Sequence, residues 1–213
     1  MTRWATFDCY GTLIDWNAGI RAELARLFGE DRADAQLRRY HELAPELEAD
    51  GTLSYRQVMT EAMRRLGAPA GEESGLAESL PGWPPFPEVR PSLEEVRRRG
   101  WLLAILSNTD PDFIAASKEL LGVPFDETVV AGEIGSYKPG LGHWREFAAR
   151  TKADPARHVH VAASLFHDIA PARELGLASV WINRLGERPG PEPTVELGDL
   201  TGLADALDAL VSE

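Results

Sequence analysis

The sequence contains very little cysteine. Among its 213 residues Cys9 is the only one, so the chain cannot form an internal disulfide or a zinc site built from several thiolates. A disulfide-stapled scaffold and a cysteine-type zinc finger are both excluded. The chemistry of this protein must therefore come from carboxylates, hydroxyls, amides and nitrogen bases.

Positive charge and long apolar runs are also scarce. The 22 lysines and arginines are outnumbered by 34 aspartates and glutamates, which leaves a formal net charge of -12. This excess works against binding to nucleic-acid phosphates or to anionic lipid, so neither nucleic acid nor a membrane is an expected partner. No apolar run reaches the roughly 20 residues that a bilayer span needs. The first residues lead directly into a strand-like segment without a secretory signal, and a cytoplasmic location is expected.

Short apolar runs alternate with helical patterns along much of the chain. This alternation is typical of a parallel sheet covered by helices on both faces. The predicted strands are residues 4–10, 102–107, 128–131, 158–164 and 178–183. The predicted helices of the same region are residues 110–121, 142–150, 168–175 and 203–211. We therefore predict an α/β fold with a doubly wound parallel sheet.

The first two predicted strands are separated by far more chain than one crossover helix requires. Residues 20–66 read as successive helices, and the proline-rich residues 81–87 fit neither a helix nor an interior strand. A helical insertion is therefore predicted after the first strand. The expected domains are an α/β core of residues 1–15 and 81–213 and a helical cap of residues 16–80.

Polar residues follow several of the predicted strands. Ligands of an open parallel sheet bind beyond the carboxyl ends of its strands, so these residues are the candidates for chemistry. They are Asp8 after the first strand, Ser107 and Asn108 at the end of the second, Lys138 in a loop before a helix, and Asp168 after the fourth. Each also has an ordinary explanation as a turn residue, a helix cap or a solvated surface group. We expect them to converge on one crevice.

In their order and separation, these residues resemble the four motifs of the haloacid dehalogenase superfamily. Residues 8–13, Asp-Cys-Tyr-Gly-Thr-Leu, are similar to the first motif, and Ser107-Asn108 to the second. Lys138-Pro139 resembles the third motif, and Asp168 with residues 171–176 the fourth. The resemblance covers nearly the whole chain and implies a Rossmann-like core, a cap domain inserted after the first strand, and Asp8 as the nucleophile.

Two positions distinguish the branches of that superfamily. Its phosphatases usually have a second aspartate two residues after the nucleophile and a metal-binding aspartate four residues before the last motif aspartate. Tyr10 and Ser164 occupy those positions here. A magnesium site prefers several hard oxygen ligands with carboxylates among them, and a hydroxyl adds no charge. Both differences favour the type II 2-haloacid dehalogenases, which use no cofactor.

Two other interpretations stay open. The first is a phosphatase of a small phosphate monoester, with Mg²⁺ held by Asp8, the carbonyl of Tyr10 and Asp168. The second is a binding protein that keeps the fold without the chemistry. Ala163 and Leu165 replace a serine and an asparagine of the dehalogenases, which favours the second interpretation mildly, and Trp144 replaces a tyrosine.

The resemblance implies a role for each candidate residue. Asp8, Lys138 and Asp168 are the predicted catalytic residues, acting through an aspartyl ester that water hydrolyses to give a 2-hydroxy acid. The predicted substrate-binding residues are Tyr10, Thr12, Arg39, Ser107, Asn108, Trp144 and Ser164.

Two of these substrate-binding residues have a more specific expected role. Thr12 is expected to hydrogen-bond Asp8. Arg39, on the cap, is expected to accept the departing halide, although a solvated helix face with Glu42 explains it equally well. The expected ligand is a small anionic molecule, and a homodimer is one expected assembly because dimers are common in the superfamily.

Overall fold

The computed structural model describes residues 2–49, 51–188 and 190–212, so Met1, Asp50, Pro189 and Glu213 of the predicted domains lie outside the described residues. Within these residues the chain forms a parallel sheet of six strands in the order β3-β2-β1-β4-β5-β6. The strands are β1 (Arg3–Phe7), β2 (Trp101–Ser107), β3 (Glu127–Val130), β4 (His158–Ala162), β5 (Ala178–Ile182) and β6 (Val195–Leu197). The α/β prediction is confirmed.

Ten α-helices are present in the described part of the chain. They are α1 (Trp16–Phe28), α2 (Glu30–Glu48), α3 (Tyr55–Leu66), α4 (Gly75–Ser79), α5 (Val89–Arg98), α6 (Pro111–Leu121), α7 (Ala131–Ile134), α8 (Gly142–Thr151), α9 (Ala170–Glu174) and α10 (Leu203–Leu210). None of these described helices is long and apolar enough to cross a bilayer.

The central strands are apolar on both faces because helices cover both faces of the sheet. Every residue of β1 is buried. Ala5 and Phe7 belong to the larger apolar cluster, whereas Trp4 belongs to a smaller cluster with Leu106 and Phe147. Alternate side chains therefore pack on opposite sides of the sheet, which is why the strands read as continuous apolar runs in the sequence.

Each predicted strand is present, with differences at its ends. The first strand ends at Phe7, so Asp8 is the first residue beyond it. The edge strand β6 was not predicted, because three residues between a proline-rich loop and Gly198 are too few for a periodic pattern. The predicted helix at residues 168–175 is instead a π-helical turn, Leu165–Ile169, followed by α9. The turn begins early because the hydroxyl of Ser164 accepts a hydrogen bond from the backbone N–H of His167.

Five α-helices lie between β1 and β2, and the first four of them, α1 to α4, lie within residues 16–80, where the helical insertion was predicted. The carboxylate of Asp15 caps α1 by accepting from the backbone N–H of Ala18, and Ser54 with Gln57 forms a capping box at α3. Between α1 and α2, Gly29 has a φ of 91°, a conformation that favours glycine. The chain returns to the sheet through a 3₁₀ turn at Leu80–Gly82. We propose residues 16–80 as the cap and the rest as the core.

Backbone groups of the insertion bond to side chains of the core. The carboxylate of Asp110, which follows β2, accepts from the backbone N–H groups of Tyr55 and Arg56 at 3.1 and 2.9 Å. A core aspartate therefore caps the N-terminus of α3, where negative charge is favourable. The hydroxyl of Tyr137 donates to the carbonyl of Leu53 at 2.9 Å. These bonds fix α3 above the carboxyl end of the sheet.

Candidate active site

A lysine ammonium lies between two carboxylates at the carboxyl end of the sheet. Lys138 Nζ is 2.9 Å from Asp8 Oδ1 and 2.6 Å from Asp168 Oδ1. It also donates to the carbonyl of Leu106 at 2.9 Å. All three charged side chains are buried. The structure thus brings together the three residues that the sequence indicated for catalysis.

Each of these residues is positioned by the end of a central strand or by a loop fixed to one. Asp8 follows β1, and Asp168 lies in the π-helical turn after β4, which pairs with β1. Lys138 lies in the loop between α7 and α8. The Asn108 side chain holds this loop, since Oδ1 accepts from Lys138 N at 2.7 Å and Nδ2 donates to Lys138 O at 3.0 Å.

The two carboxylates have different electrostatic environments. Burial raises the pKa of Asp8, with Asp168 adding to the effect and Lys138 and Thr12 opposing it. Burial would also raise the pKa of Asp168, but Lys138 and His160 outweigh it and hold that pKa below its ordinary value. The two carboxylates likewise outweigh burial at Lys138 and raise its pKa. Lys138 is therefore charged, and Asp8 is the carboxyl that protonates first as the pH falls.

Thr12 holds the second oxygen of Asp8, as the sequence predicted. Its hydroxyl donates to Asp8 Oδ2 at 2.8 Å and accepts from the backbone N–H of Ala163 at 2.9 Å. Gly11, which lies between Asp8 and Thr12 in the chain, has a φ of 90°. A Cβ at this position would lie 2.9 Å from the indole nitrogen of Trp16. Glycine therefore permits both the turn and the close approach of Trp16.

A row of buried polar side chains, His160, Thr6 and His158, extends from Asp168 through consecutive hydrogen bonds. Its Oδ1 accepts from Lys138 and lies 3.1 Å from His160 Nε2. His160 Nδ1 is 2.8 Å from the hydroxyl of Thr6, which is 2.7 Å from His158 Nε2. Asp168 Oδ2 is buried and has no hydrogen-bond partner among the described residues. It is therefore a buried acceptor that no described side chain satisfies.

Sequence reasoning missed this row. Its signal is the pair of histidines, His158 and His160, separated by one residue in an otherwise apolar strand. That spacing places both rings on one face of the sheet.

A cavity of about 940 Å³ is lined by residues of both the core and the helical insertion. Tyr10 and Gly11 line it beside the nucleophile, and Trp16, Asn17 and His41 come from the insertion. The hydroxyl of Tyr10 is hydrogen-bonded to Ser117 at 3.0 Å, which leaves its ring on the cavity wall. His41 Nε2 is 2.8 Å from Asn17 Oδ1, so this amide has its N–H₂ group available for a ligand.

Ser164 lines the cavity together with His167. The Ser164 hydroxyl caps the π-helical turn through the backbone N–H of His167 and lies 3.1 Å from His167 Nδ1. Burial lowers the pKa of His167 and favours the neutral ring. Ser164 is thus close enough to contact a ligand, although its hydroxyl already has structural partners.

The structure places Arg39 outside the site. Its guanidinium is 59% exposed and pairs with Glu42 at 2.6 Å. The next residue, Tyr40, is fully buried, so α2 turns Arg39 toward solvent. The prediction that Arg39 accepts the halide is not supported by this geometry.

Trp144 also lies outside the cavity. Its ring is 3% exposed in the smaller apolar cluster with Trp4 and Phe147, on one face of the sheet. It packs edge-on against His160 at 5.1 Å. Trp144 therefore contacts His160 beneath the site rather than the cavity, and its predicted contact with substrate is not supported by this geometry.

Ser107 and Asn108 form more hydrogen bonds within the protein than the sequence indicated. Ser107 is 1% exposed, and its carbonyl accepts from His143 Nε2 at 3.0 Å. Asn108 Nδ2 donates to Lys138 O and also to Glu48 Oε2, at 3.2 Å. Its amide therefore positions the lysine loop in addition to facing the site. The expected helix cap is not formed by this pair, since α6 begins after Asp110.

Glu48, the last residue of α2, is not among the residues that the sequence indicated for the site. Its carboxyl reaches the core at Asn108, and burial raises its pKa to about 7. No single-helix pattern signals this position, because its burial depends on the core surface beneath the helix.

The donor set at Asp8 and Asp168 does not fit a magnesium ion. Asp8 Oδ1 and Asp168 Oδ1 are already bridged by the ammonium of Lys138. The hydroxyl of Ser164 stands where a third carboxylate is required, and it is used to cap a turn. Among residues 2–49, 51–188 and 190–212, no group of three or more His, Cys, Asp or Glu side chains is arranged to hold a metal.

Comparisons with known proteins agree with this site. Residues 2–176 match the family model of the haloacid dehalogenase-like hydrolases. An (S)-2-haloacid dehalogenase of Pseudomonas sp. strain YL is 28% identical over 95% of this chain and 93% of its own length. A phosphoserine phosphatase of Thermus thermophilus is 31% identical over 71% of this chain, but the match spans only 65% of the phosphatase.

The fold matches solved structures of the same kind. An L-2-haloacid dehalogenase of Xanthobacter autotrophicus with chloropropionic acid covalently bound superposes with a TM-score of 0.84 at 18% identity, over 97% of this chain and 98% of that one. The sheet and the inserted helices are therefore shared along nearly the whole length. With a family model that spans most of its sequence, this chain belongs to the haloacid dehalogenase-like hydrolases.

Proposed function

We propose that this protein is a metal-independent hydrolytic dehalogenase that converts small 2-haloalkanoic acids into 2-hydroxy acids. The observation that supports this most directly is the pair of buried aspartates bridged by Lys138, with Tyr10 and Ser164 where phosphatases carry carboxylates. The relative that aligns along nearly the full length is a 2-haloacid dehalogenase, which agrees with this activity.

In the first step Asp8 displaces the halide. One oxygen of its carboxylate attacks the carbon that bears the halogen, the carbon–halogen bond breaks, and an aspartyl ester forms with inversion at that carbon. Lys138 and Thr12 hold the carboxylate in one orientation, which favours the in-line approach. The substrate carboxylate binds near Ser107 and Asn108.

A group on the insertion must receive the halide. The amide of Asn17 and the indole of Trp16 both line the cavity beside Gly11, and they replace Arg39 in this role. Each offers an N–H donor next to apolar surface.

In the second step water attacks the ester. Asp168 Oδ2, the buried acceptor without a hydrogen-bond partner, holds the water and takes its proton as the water oxygen bonds to the Asp8 carboxyl carbon. The ester C–O bond then breaks, Asp168 returns its proton to the departing oxygen to give the 2-hydroxy acid, and the Asp8 carboxyl releases its remaining proton to solvent. Lys138 stabilises the negative charge on the tetrahedral intermediate and pairs with the regenerated Asp8.

Chelation tests the proposal that no metal takes part. We expect halide release from chloroacetate and 2-chloropropionate to be unchanged by EDTA. The control is p-nitrophenyl phosphate with Mg²⁺, from which no phosphate should be released. Loss of dehalogenation with EDTA and its recovery with Mg²⁺ would overturn this part of the proposal.

The phosphatase alternative rests on the phosphoserine phosphatase relative, whose identity is slightly higher over a shorter match. Phosphate release without halide release in the same assay would favour it. Release of neither product would favour a binding protein. A cytoplasmic location and a homodimer remain predictions.

Isotope labelling tests the covalent route. With enzyme in excess, one turnover in H₂¹⁸O should place the label in the Asp8 side chain, and the first product should contain unlabelled oxygen. Mass spectrometry of the peptide that contains Asp8 measures this. Labelled product with an unshifted peptide would mean that water attacks the substrate directly, and the ester mechanism would be abandoned.

A further inference from the structure

Glu48 forms a direct hydrogen bond between the inserted helices and the core at the catalytic site. It ends α2, and its Oε2 accepts from Asn108 Nδ2 at 3.2 Å. The same amide group holds the loop of Lys138, which in turn bridges Asp8 and Asp168. Glu48 is therefore connected to the nucleophile through only two intervening residues.

The surroundings of Glu48 are polar but contain no paired cation. Among the described residues, no lysine or arginine forms an ion pair with its carboxylate. The titratable groups that face it are Tyr40 on its own helix, Tyr55 on α3, Tyr137 and Lys138 on the core loop, and Asp8 after β1.

The Glu48 carboxylate occupies a hydrogen-bond donor that the substrate would also use. In the proposed function, Asn108 is one of the groups that bind the carboxylate of the substrate. Glu48 already places a carboxyl oxygen on that donor. An ionised Glu48 competes with an incoming anion and repels it, whereas a protonated Glu48 donates its O–H and has no charge. Competition for Asn108 and charge repulsion therefore both weaken the binding of an anion when Glu48 is ionised.

We propose that Glu48 is a specificity-determining residue that competes with the substrate carboxylate for Asn108 and makes the binding of anionic substrates weaker as the pH rises. This rests on the proposed function of the same site. Burial raises the pKa of Glu48 to about 7, against the opposing effects of Asn108 and Lys138, so the change falls near neutral pH. Burial lowers the pKa values of His41 and His167, whose charge changes therefore fall on the acid side.

The test compares the wild type with Glu48→Gln, which keeps the shape and the hydrogen bond but cannot ionise. For chloroacetate, we expect the wild-type KM to rise between pH 6 and 8.5, by up to about tenfold per pH unit above the midpoint, with little change in kcat. In Glu48→Gln, which still accepts from Asn108 but carries no charge, the KM should be independent of pH and lower than the wild-type KM at pH 8.5. Glu46→Gln, an exposed residue of the same helix, is the matched control and should follow the wild type. A rising KM in Glu48→Gln would overturn the proposal.

Binding without turnover separates this proposal from the proposed function. Calorimetry with propionate, which has no halogen, should give a Kd that rises with pH in the wild type and is constant in Glu48→Gln. If no halide is released at any pH, the proposed function fails, and the propionate titrations still decide the role of Glu48. Equal pH dependence in both proteins, or no propionate binding to the wild type at pH 6, would refute it.

A measurement on the wild type alone covers the case in which Glu48→Gln does not fold. The side-chain amide signals of Asn108 in an NMR pH titration should shift with a midpoint near 7. Amide signals that stay constant from pH 6 to 8 would also refute the proposal.

Discussion

Charged side chains are buried and paired differently on the core side of the site and on the inserted-helix side. On the core side, three charged groups are buried and paired with one another, and Lys138 contacts both carboxylates. On the inserted helices, several arginines pair with carboxylates at the surface, as Arg39 does with Glu42, and the half-buried Glu48 forms no ion pair with a described lysine or arginine. In the proposed function the core therefore fixes the reacting charges, and in the proposal for Glu48 the inserted helices adjust which ligand can approach them.

The largest expected effect is that of Asp8→Asn, which removes the nucleophile from the core side without changing its shape. Turnover should fall by at least about 10⁴-fold while the fold is retained. Halide release, with circular dichroism for the fold and mass spectrometry to exclude deamidation, measures this. Activity close to that of the wild type would exclude Asp8 as the nucleophile. The proposed difference between the core side and the inserted-helix side would then fail as well.

Lys138→Met tests whether the core charges depend on their pairing. It leaves two buried carboxylates without a cation, and the free energy of unfolding at neutral pH should fall by about 3–5 kcal/mol. Without Lys138, burial raises the pKa of both aspartates above their unfolded values. The lost stability should therefore be smallest at acid pH and increase as the pH rises through those raised values.

Urea unfolding of Lys138→Met at several pH values measures this. Lys118→Met, which removes only a partly buried bond to Thr128, is the control. A stability deficit that is independent of pH would indicate lost packing rather than lost charge pairing.

Thr12→Val sharpens the comparison by removing one neutral donor from the core side. The carboxylate of Asp8 loses a hydrogen bond that favours its charged form, so its pKa rises further. The acid limb of kcat/KM should move to higher pH by roughly 1 unit, which corresponds to about 1.4 kcal/mol. Thr12→Ser, which retains the hydroxyl, should behave like the wild type. An unshifted limb in the valine variant would mean that Thr12 serves only the turn.

The smallest effect is expected on the inserted helices, at Arg39. Because its guanidinium is exposed, Arg39→Ala should change kcat/KM by no more than about twofold. Asn17→Ala, at the cavity wall, should reduce halide release more. The comparison fails if Arg39→Ala inactivates the enzyme, since α2 would then have to present Arg39 to the substrate during turnover.

Sequence reasoning succeeded where function depends on strand ends. Asp8 and Asp168 follow buried apolar runs, and parallel strands bring such positions to one edge, so their convergence could be predicted. Trp144 and Arg39 show its limit. Their spacing matched a family pattern, but which face of α8 or α2 is buried depends on what packs against that helix.

In the row of hydrogen bonds from Asp168 to His158, the choice of donor in one bond determines the donor in the next. If His160 is neutral and donates to Asp168, its Nδ1 accepts from the Thr6 hydroxyl, and Thr6 must accept from an N–H at His158 Nε2. If His160 carries a second proton, its Nε2 still donates to Asp168, but the two bonds at the Thr6 hydroxyl reverse and the His158 proton moves to Nδ1. Burial lowers the pKa of His158 to about 3, so that ring stays neutral in either case. The tautomer of His158 is thus coupled, through the Thr6 hydroxyl, to the hydrogen bonds of the histidine that contacts Asp168.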